Sequence, residues 1–139
     1  MNIVYLDANF LMIPVQLKID VYQEISEIVP HPFKFVVLSA VFEELDKKVA
    51  RRKNKSQLAK EYAMARQILE SKEYEISKKN KPSGMLVDDL ILQEALKHQE
   101  ASNKVFLATN DKDLKRKCKK EGLPTIFIRK GKQVAIQNH

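Results

Sequence analysis

Short runs of β-branched and aromatic residues alternate along this chain with longer stretches of helical periodicity, and that alternation restricts the fold more than any other feature. NIVYL (Asn2–Leu6), FKFVVL (Phe33–Leu38), KVFLA (Lys104–Ala108) and TIFI (Thr125–Ile128) have the length and composition of buried strands. YEIS (Tyr74–Ser77) is a weaker extended piece, and KQVAI (Lys132–Ile136) reads as a last edge strand entered through Gly131. Between them lie helices. Val21, Ile25, Ile28 and Val29 recur at helical spacing behind Asp20, a suitable N-cap, and Pro30 and Pro32 end that segment. Ser39 opens a helix with Val41, Leu45 and Val49 on one face. A long helix is predicted over Ser56–Ser71, another over Met85–Ala101 with Leu86, Leu90, Ala95 and Leu96 facing the core, and a basic one over Asp111–Glu121, stopped at Gly122. Phe10–Ile13 is expected to make one helical turn, halted by Pro14. Strands alternating with helices imply an α/β domain around a mostly parallel sheet. In such sheets ligands bind beyond the carboxyl ends of the strands, where the strand order reverses.

The 139 residues suit one domain spanning 1–139 with a proper core, and a hydrophobic content of 44% is ordinary for a globular protein. No apolar run approaches the roughly 20 residues that span a bilayer, and MNIVYLDANF lacks the basic start of a signal peptide. The expectation is a cytoplasmic protein without membrane contact. Cys118 is the sole cysteine, so an internal disulfide and a zinc-ligand spacing are both excluded. Its cationic neighbours in DLKRKCKKEG would lower a thiol's pKa, although a half-buried helix position is the better reading. His31, His98 and His139 are too dispersed to read as a catalytic set, with His98 expected on an exposed helix face. Only Gly84, Gly122 and Gly131 are present, so no glycine-rich phosphate loop exists.

The formal charge is +7, and its distribution is uneven. Lys47–Lys60 holds seven cations and no acid, Lys112–Lys120 six cations and one acid, and Lys78, Lys79 and Lys81 form a third cluster. This is the electrostatic footprint of phosphate-backbone binding, and it suits a densely charged solvated surface equally well. Arg51, Arg52, Lys53, Lys55, Lys112, Lys115 and Arg116 are the candidate contacts to a polyanion.

Against that basic background, four acids fall where predicted elements meet loops: Asp7 closing IVYLD, Glu44 in SAVFEELDKK, Asp88 in GMLVDDLIL and Asp111 in VFLATND. Each has a plain explanation by itself. Asp7 and Asp111 could cap the turns after their strands, and Asp88 and Asp89 could complement a helix dipole. Glu43 and Glu44 are neighbours, one of which should face solvent. Together, all four fall on one edge of the predicted sheet. Carboxylates gathered in one pocket resist ionising together and favour cations. Oxygen donors without His or Cys suit Mg²⁺ or Mn²⁺, whose retained water can become a nucleophile toward a phosphodiester. Asn9, Thr109 and Asn110 could orient such ligands.

These residues resemble a known family. Hydrophobic-Asp-x-Asn after the first strand, VFEEL after the second, Asp88 in DDLILQEA, and LATNDKDL together look like a PIN domain, over Ile3 to about Ile128. The resemblance implies a three-layer α/β/α sandwich and a metal-dependent ribonuclease, with Asp7, Glu44, Asp88 and Asp111 around Mg²⁺ or Mn²⁺. The family pattern favours Glu44 over Glu43 and Asp88 over Asp89, with Asp89 kept as a further metal ligand. Two branches compete. The VapC-like toxin ribonuclease, masked by a partner antitoxin, is preferred, and a PIN endonuclease of ribosomal RNA processing is the alternative. PIN toxins commonly form homodimers. Phe10, Met12 and Ile13 are candidate apolar contacts, with core packing the better reading.

Other classes fit less well. A phosphoacceptor signalling domain would want adjacent acids after the first strand, where Ala8 and Asn9 stand. A haloacid-type phosphatase would want a second Asp at the position of Asn9. A non-catalytic RNA-binding scaffold is the serious rival, and retention of all four acids argues against it.

Overall fold

The computed structural model describes residues 1–51, 56–100 and 104–138. Six strands form one sheet: β1 (Asn2–Leu6), β2 (Phe33–Leu38), β3 (Tyr74–Ser77), β4 (Val105–Ala108), β5 (Thr125–Arg129) and β6 (Gln133–Gln137). Their order is β3-β2-β1-β4-β5-β6, and every neighbouring pair is parallel except β5 with β6. The order reverses at β1: the chain first winds outward through β2 and β3, then crosses back to β4 on the other side. Right-handed crossovers in opposite directions place their helices on opposite faces. Helices α1 (Ala8–Gln16), α3 (Ser39–Arg51) and α4 (Ser56–Glu70) pack together, and α5 (Val87–Glu100) packs with α6 (Lys112–Lys120). The fold is the three-layer α/β/α sandwich expected, with α2 (Val21–Ile28) preceding β2.

The sheet carries the core. The inner strands β1 and β4 are buried almost throughout, with Val4 and Leu107 fully enclosed, as a sheet covered on both faces requires. Asp7, Asp20 and Asp111 each accept a hydrogen bond from the backbone N–H three residues on, starting α1, α2 and α6. None of the described helices is long and apolar enough to cross a membrane.

The structure corrects three local expectations, in α1, at Leu86 and at His98, and favours the burial reading for Phe10, Met12, Ile13 and Cys118. Helix α1 does not stop at Pro14 but runs through it to Gln16, and Leu17 N–H still bonds Ile13 C=O at 2.8 Å. Proline removes one donor, while Phe10, Leu11, Met12, Ile13 and Pro14 are all buried, and packing against α4 outweighs the lost bond. That burial also removes Phe10, Met12 and Ile13 as surface contacts for a second copy. Leu86 is 63% exposed rather than in the core, because α5 begins only at Val87. His98 is not on a free face: its Nδ1 lies 2.8 Å from the hydroxyl of buried Tyr5. Cys118 is fully buried, and burial, with the charges of Asp7 and Asp88, pushes its thiol up to about 12. The lysines beside it in sequence point outward and do not activate it.

Candidate active site

Asp7 leaves the carboxyl end of β1, and Asp111 follows β4 by a three-residue step. These two strands pair directly, Leu6 opposite Ala108, and Asp7 N–H donates to Ala108 C=O at 3.3 Å. The two acids therefore flank the point where the strand order reverses, the crevice in which open parallel sheets bind ligands. Glu44 comes from the second turn of α3, which starts at the end of β2. Asp88 lies in the first turn of α5, which packs on α3.

Asp7 is only 2% exposed. One of its oxygens accepts from Phe10 N–H at 2.7 Å. Burial pushes its carboxyl up to about 7, with the charges of Asp88 and Asp111 adding to the rise and hydrogen bonds from Thr109 and Phe10 opposing it. Asp88 is also raised, by burial first and then by the charges of Asp111, Glu44 and Asp89, against which Lys117 works. The four acids thus act on one another through space. Asp111 accepts from Leu114 N–H at 2.8 Å, and its own N–H donates to the Thr109 hydroxyl oxygen at 3.0 Å. Thr109 is fully buried beside both caps, while Asn110 Oδ1 accepts from Ile128 N–H at 2.7 Å and ties the loop to β5. Asn9 is exposed on α1.

The paired acids separate clearly. Glu43 is exposed and Glu44 half-buried. Asp89 is held by Lys117, Nζ to Oδ1 2.7 Å, and Asp88 has no such partner among the described residues. No sequence feature announced the Lys117 contact, since the partners are 28 positions apart.

The donors fit a hard divalent cation in kind: they are oxygen only, and Asp7 is nearly enclosed. In placement they are neighbours rather than a closed cage, and among the described residues no three His, Cys, Asp or Glu side chains converge tightly enough to enclose an ion. Larger concavities lie elsewhere. One of about 600 Å³ is lined by Tyr22, His31, Phe33 and Tyr74, and one of about 360 Å³ by Ile28, Pro30, Phe106 and Pro124. Both sit at the amino ends of the strands, away from all four acids.

The cations expected to meet a polyanion divide. Lys112 and Arg116 are exposed and Lys115 half-buried on α6, beginning beside Asp111. Arg116 pairs with Asp113 at 3.1 Å. Arg51 is exposed at the end of α3, whereas Arg52, Lys53 and Lys55 lie outside the described residues.

Comparison with known proteins bears on this arrangement. Residues 4–131 match a family described as "PIN like domain". Ribonuclease VapC4 of Methanocaldococcus jannaschii is 31% identical over 132 residues, covering 94% of this chain and 92% of that protein. Among solved structures, the PIN domain endonuclease Utp24 superposes with a TM-score of 0.74 at 23% identity, covering 99% of this chain and 92% of that one. The T5 D15 protein, crystallised with metal ions, superposes at a TM-score of 0.51 and 12% identity, over 96% of this chain and 56% of that one. The two structural likenesses are of fold.

Proposed function

The chain belongs to the PIN-like domain family, and from that premise we propose that it is a divalent-metal-dependent endoribonuclease of the VapC-like toxin kind. The observation that carries the proposal is Asp7: a carboxylate 2% exposed at the switch point, pushed up to about 7, with the charges of Asp88 and Asp111 bearing on it. A buried acid so disfavoured is costly to a fold unless a cation compensates it.

Asp7, Glu44, Asp88 and Asp111 would hold Mg²⁺ or Mn²⁺. Bound there, the cation would supply an activated water and neutralise charge on the leaving oxygen of an RNA phosphodiester. The protein's own contribution is preorganisation. The Phe10 and Leu114 N–H groups each fix one oxygen of Asp7 and Asp111, and Thr109 holds the two loops in register. The Lys117–Asp89 pair supports Asp88 as the principal ligand of the two adjacent acids, with Asp89 in outer support. Asn9 and Asn110 border the site and could contact phosphate. Exposed Lys112 and Arg116, with half-buried Lys115, would draw the RNA backbone toward it.

The VapC-like assignment draws on the relative named Ribonuclease VapC4. It brings an antitoxin protein as the expected partner. Cleavage of a labelled single-stranded RNA is the test, run with Mn²⁺, with Mg²⁺, with EDTA, and with Asp7→Asn. Cutting by the wild type that disappears with EDTA and with Asp7→Asn is expected. RNA bound but uncut under every metal would replace this reading with the scaffold.

A further inference from the structure

The hairpin between β5 and β6 reaches the same end of the sheet as the acids. Ala108 pairs with Ile126, and Thr109 N–H bonds Ile126 C=O, so Phe127 lies level with the loop that delivers Asp111. Arg129 pairs with Gln133, and the intervening Lys130, Gly131 and Lys132 form the tip. Gly131 adopts φ +85°, which glycine accommodates freely, and Lys132 N–H closes the turn on Arg129 C=O at 3.1 Å. The turn exposes Lys130 and Lys132.

Phe127 organises the cations around it. Lys115 Nζ sits 4.0 Å from its ring centroid and Arg129 Cζ 5.9 Å. An aromatic face attracts a cation without neutralising it, unlike a carboxylate. Among the described residues none of Lys112, Lys115, Arg129, Lys130 and Lys132 makes an ion pair, whereas Lys34, Arg66, Lys97, Arg116 and Lys117 do. Lys115 is one helical turn, about 6 Å along the axis, from Asp111. Uncompensated charge, held in place beside the candidate active site, is what a phosphodiester backbone would find complementary.

We propose that Lys115 and Arg129, positioned by Phe127 and extended by Lys130 and Lys132 at the hairpin tip, form a phosphate clamp that binds the RNA strand as it passes the acid site. The clamp names the side on which the substrate of the proposed nuclease lies, and so rests on that reading for its role. Its existence is measurable without catalysis.

The test is fluorescence anisotropy of a labelled single-stranded RNA in EDTA, across a salt series. Lys115→Ala and Arg129→Ala should each weaken binding about three- to tenfold and flatten the log affinity against log salt slope by about 0.7. The Lys130→Ala/Lys132→Ala double variant should do likewise. Phe127→Leu should weaken binding while Phe127→Tyr restores it, and Lys115→Ala should matter less in the Phe127→Leu background. Circular dichroism checks that Phe127→Leu folds. Wild-type affinity and slope in Lys115→Ala and Arg129→Ala would overturn the clamp, as would loss of binding to poly-glutamate with RNA binding unchanged, which would assign the surface to an acidic protein. Strict additivity of Phe127→Leu with Lys115→Ala would overturn the positioning role. Clamp-dependent binding by a wild type that never cuts RNA would sink the nuclease reading alone. A cutting wild type whose clamp variants bind normally would sink the clamp alone.

Discussion

The two ends of the sheet are built on opposite plans. At the amino ends one ion pair and an aromatic cluster stand out: Lys34 pairs with Glu75 at 2.9 Å, and Tyr22, Phe35, Phe33 and His31 meet edge to face around the larger cavity. At the carboxyl ends burial and neighbouring acids raise Asp7 and Asp88, and beyond them Lys115 and Arg129 make no ion pair among the described residues, while Arg116 and Lys117 pair with Asp113 and Asp89. Concavity and chemistry have separated. The two concavities described lie at the amino ends, and the raised acids at the carboxyl ends.

The comparison is broken most directly at Asp7. Asp7→Asn keeps a side-chain oxygen to accept from Phe10 N–H, so the fold should persist, yet metal-dependent RNA cleavage should drop by roughly a thousandfold or more, three or more decades of transition-state stabilisation. Cleavage assays beside circular dichroism decide it. Activity within tenfold of wild type would move the site elsewhere.

The adjacent acids sharpen the same contrast at higher resolution. Asp88→Asn should cost roughly a hundredfold in cleavage and Asp89→Asn roughly tenfold or less, because Lys117 already occupies Asp89. Glu44→Gln should likewise exceed Glu43→Gln, whose side chain is exposed. Equal losses within either pair would show that burial and pairing do not select the ligands.

pH gives the next effect. The Asp7 carboxyl is raised from 3.8 to about 7, so the folded state holds its proton more tightly than the unfolded chain does. Below about pH 4 both states are protonated and Asp7 contributes no difference. As pH rises toward 7 the buried charge increasingly opposes folding, and above 7 the opposition is complete. In EDTA, Asp7→Asn should therefore melt higher than the wild type at pH 8, with the gap closing near pH 4. Added Mn²⁺ should raise the wild-type Tm more at pH 8 than at pH 5.5, where a proton competes for Asp7. A pH-independent gap would remove the buried charge as its cause.

The smallest effect belongs to the other end. The Tyr22 hydroxyl is buried with no hydrogen-bond partner among the described residues. Tyr22→Phe removes that unmet group and should stabilise the protein by about 1 kcal/mol while leaving RNA cleavage unchanged. Urea denaturation reads the first outcome and the cleavage assay the second. A loss of activity would join the two ends functionally and dissolve the contrast.

Strand existence was legible because fully buried parallel strands must be continuously apolar, as NIVYL and FKFVVL are. The positions of Asp7 and Asp111 followed for the same reason, since a strand's end is marked where its apolar run stops. Helix α1 was not legible: Pro14 is a local breaker, and only the burial of its neighbours against the distant α4 keeps the helix whole. The reading of Leu86 failed because helical periodicity was extended across Met85 and Leu86, ahead of where the backbone turns helical. Cys118 was read in the right direction, as a buried helix position, but not its depth: its neighbours in sequence are lysines, and its neighbours in space are the core and the acids. The Phe127 cluster and the Lys117–Asp89 pair join α6 to other elements, and no spacing along the chain encodes them.

Asp7 and Asp111 start their helices with the same side chains that face the candidate site. Asparagine caps a helix about as well as aspartate. The genetic code separates the two by a single nucleotide. On the proposed reading, loss of function at this site lies one mutation away and would leave a folded protein with its basic surface intact. A lineage burdened by a harmful nuclease could silence it without discarding it, and the reverse substitution would restore it as easily.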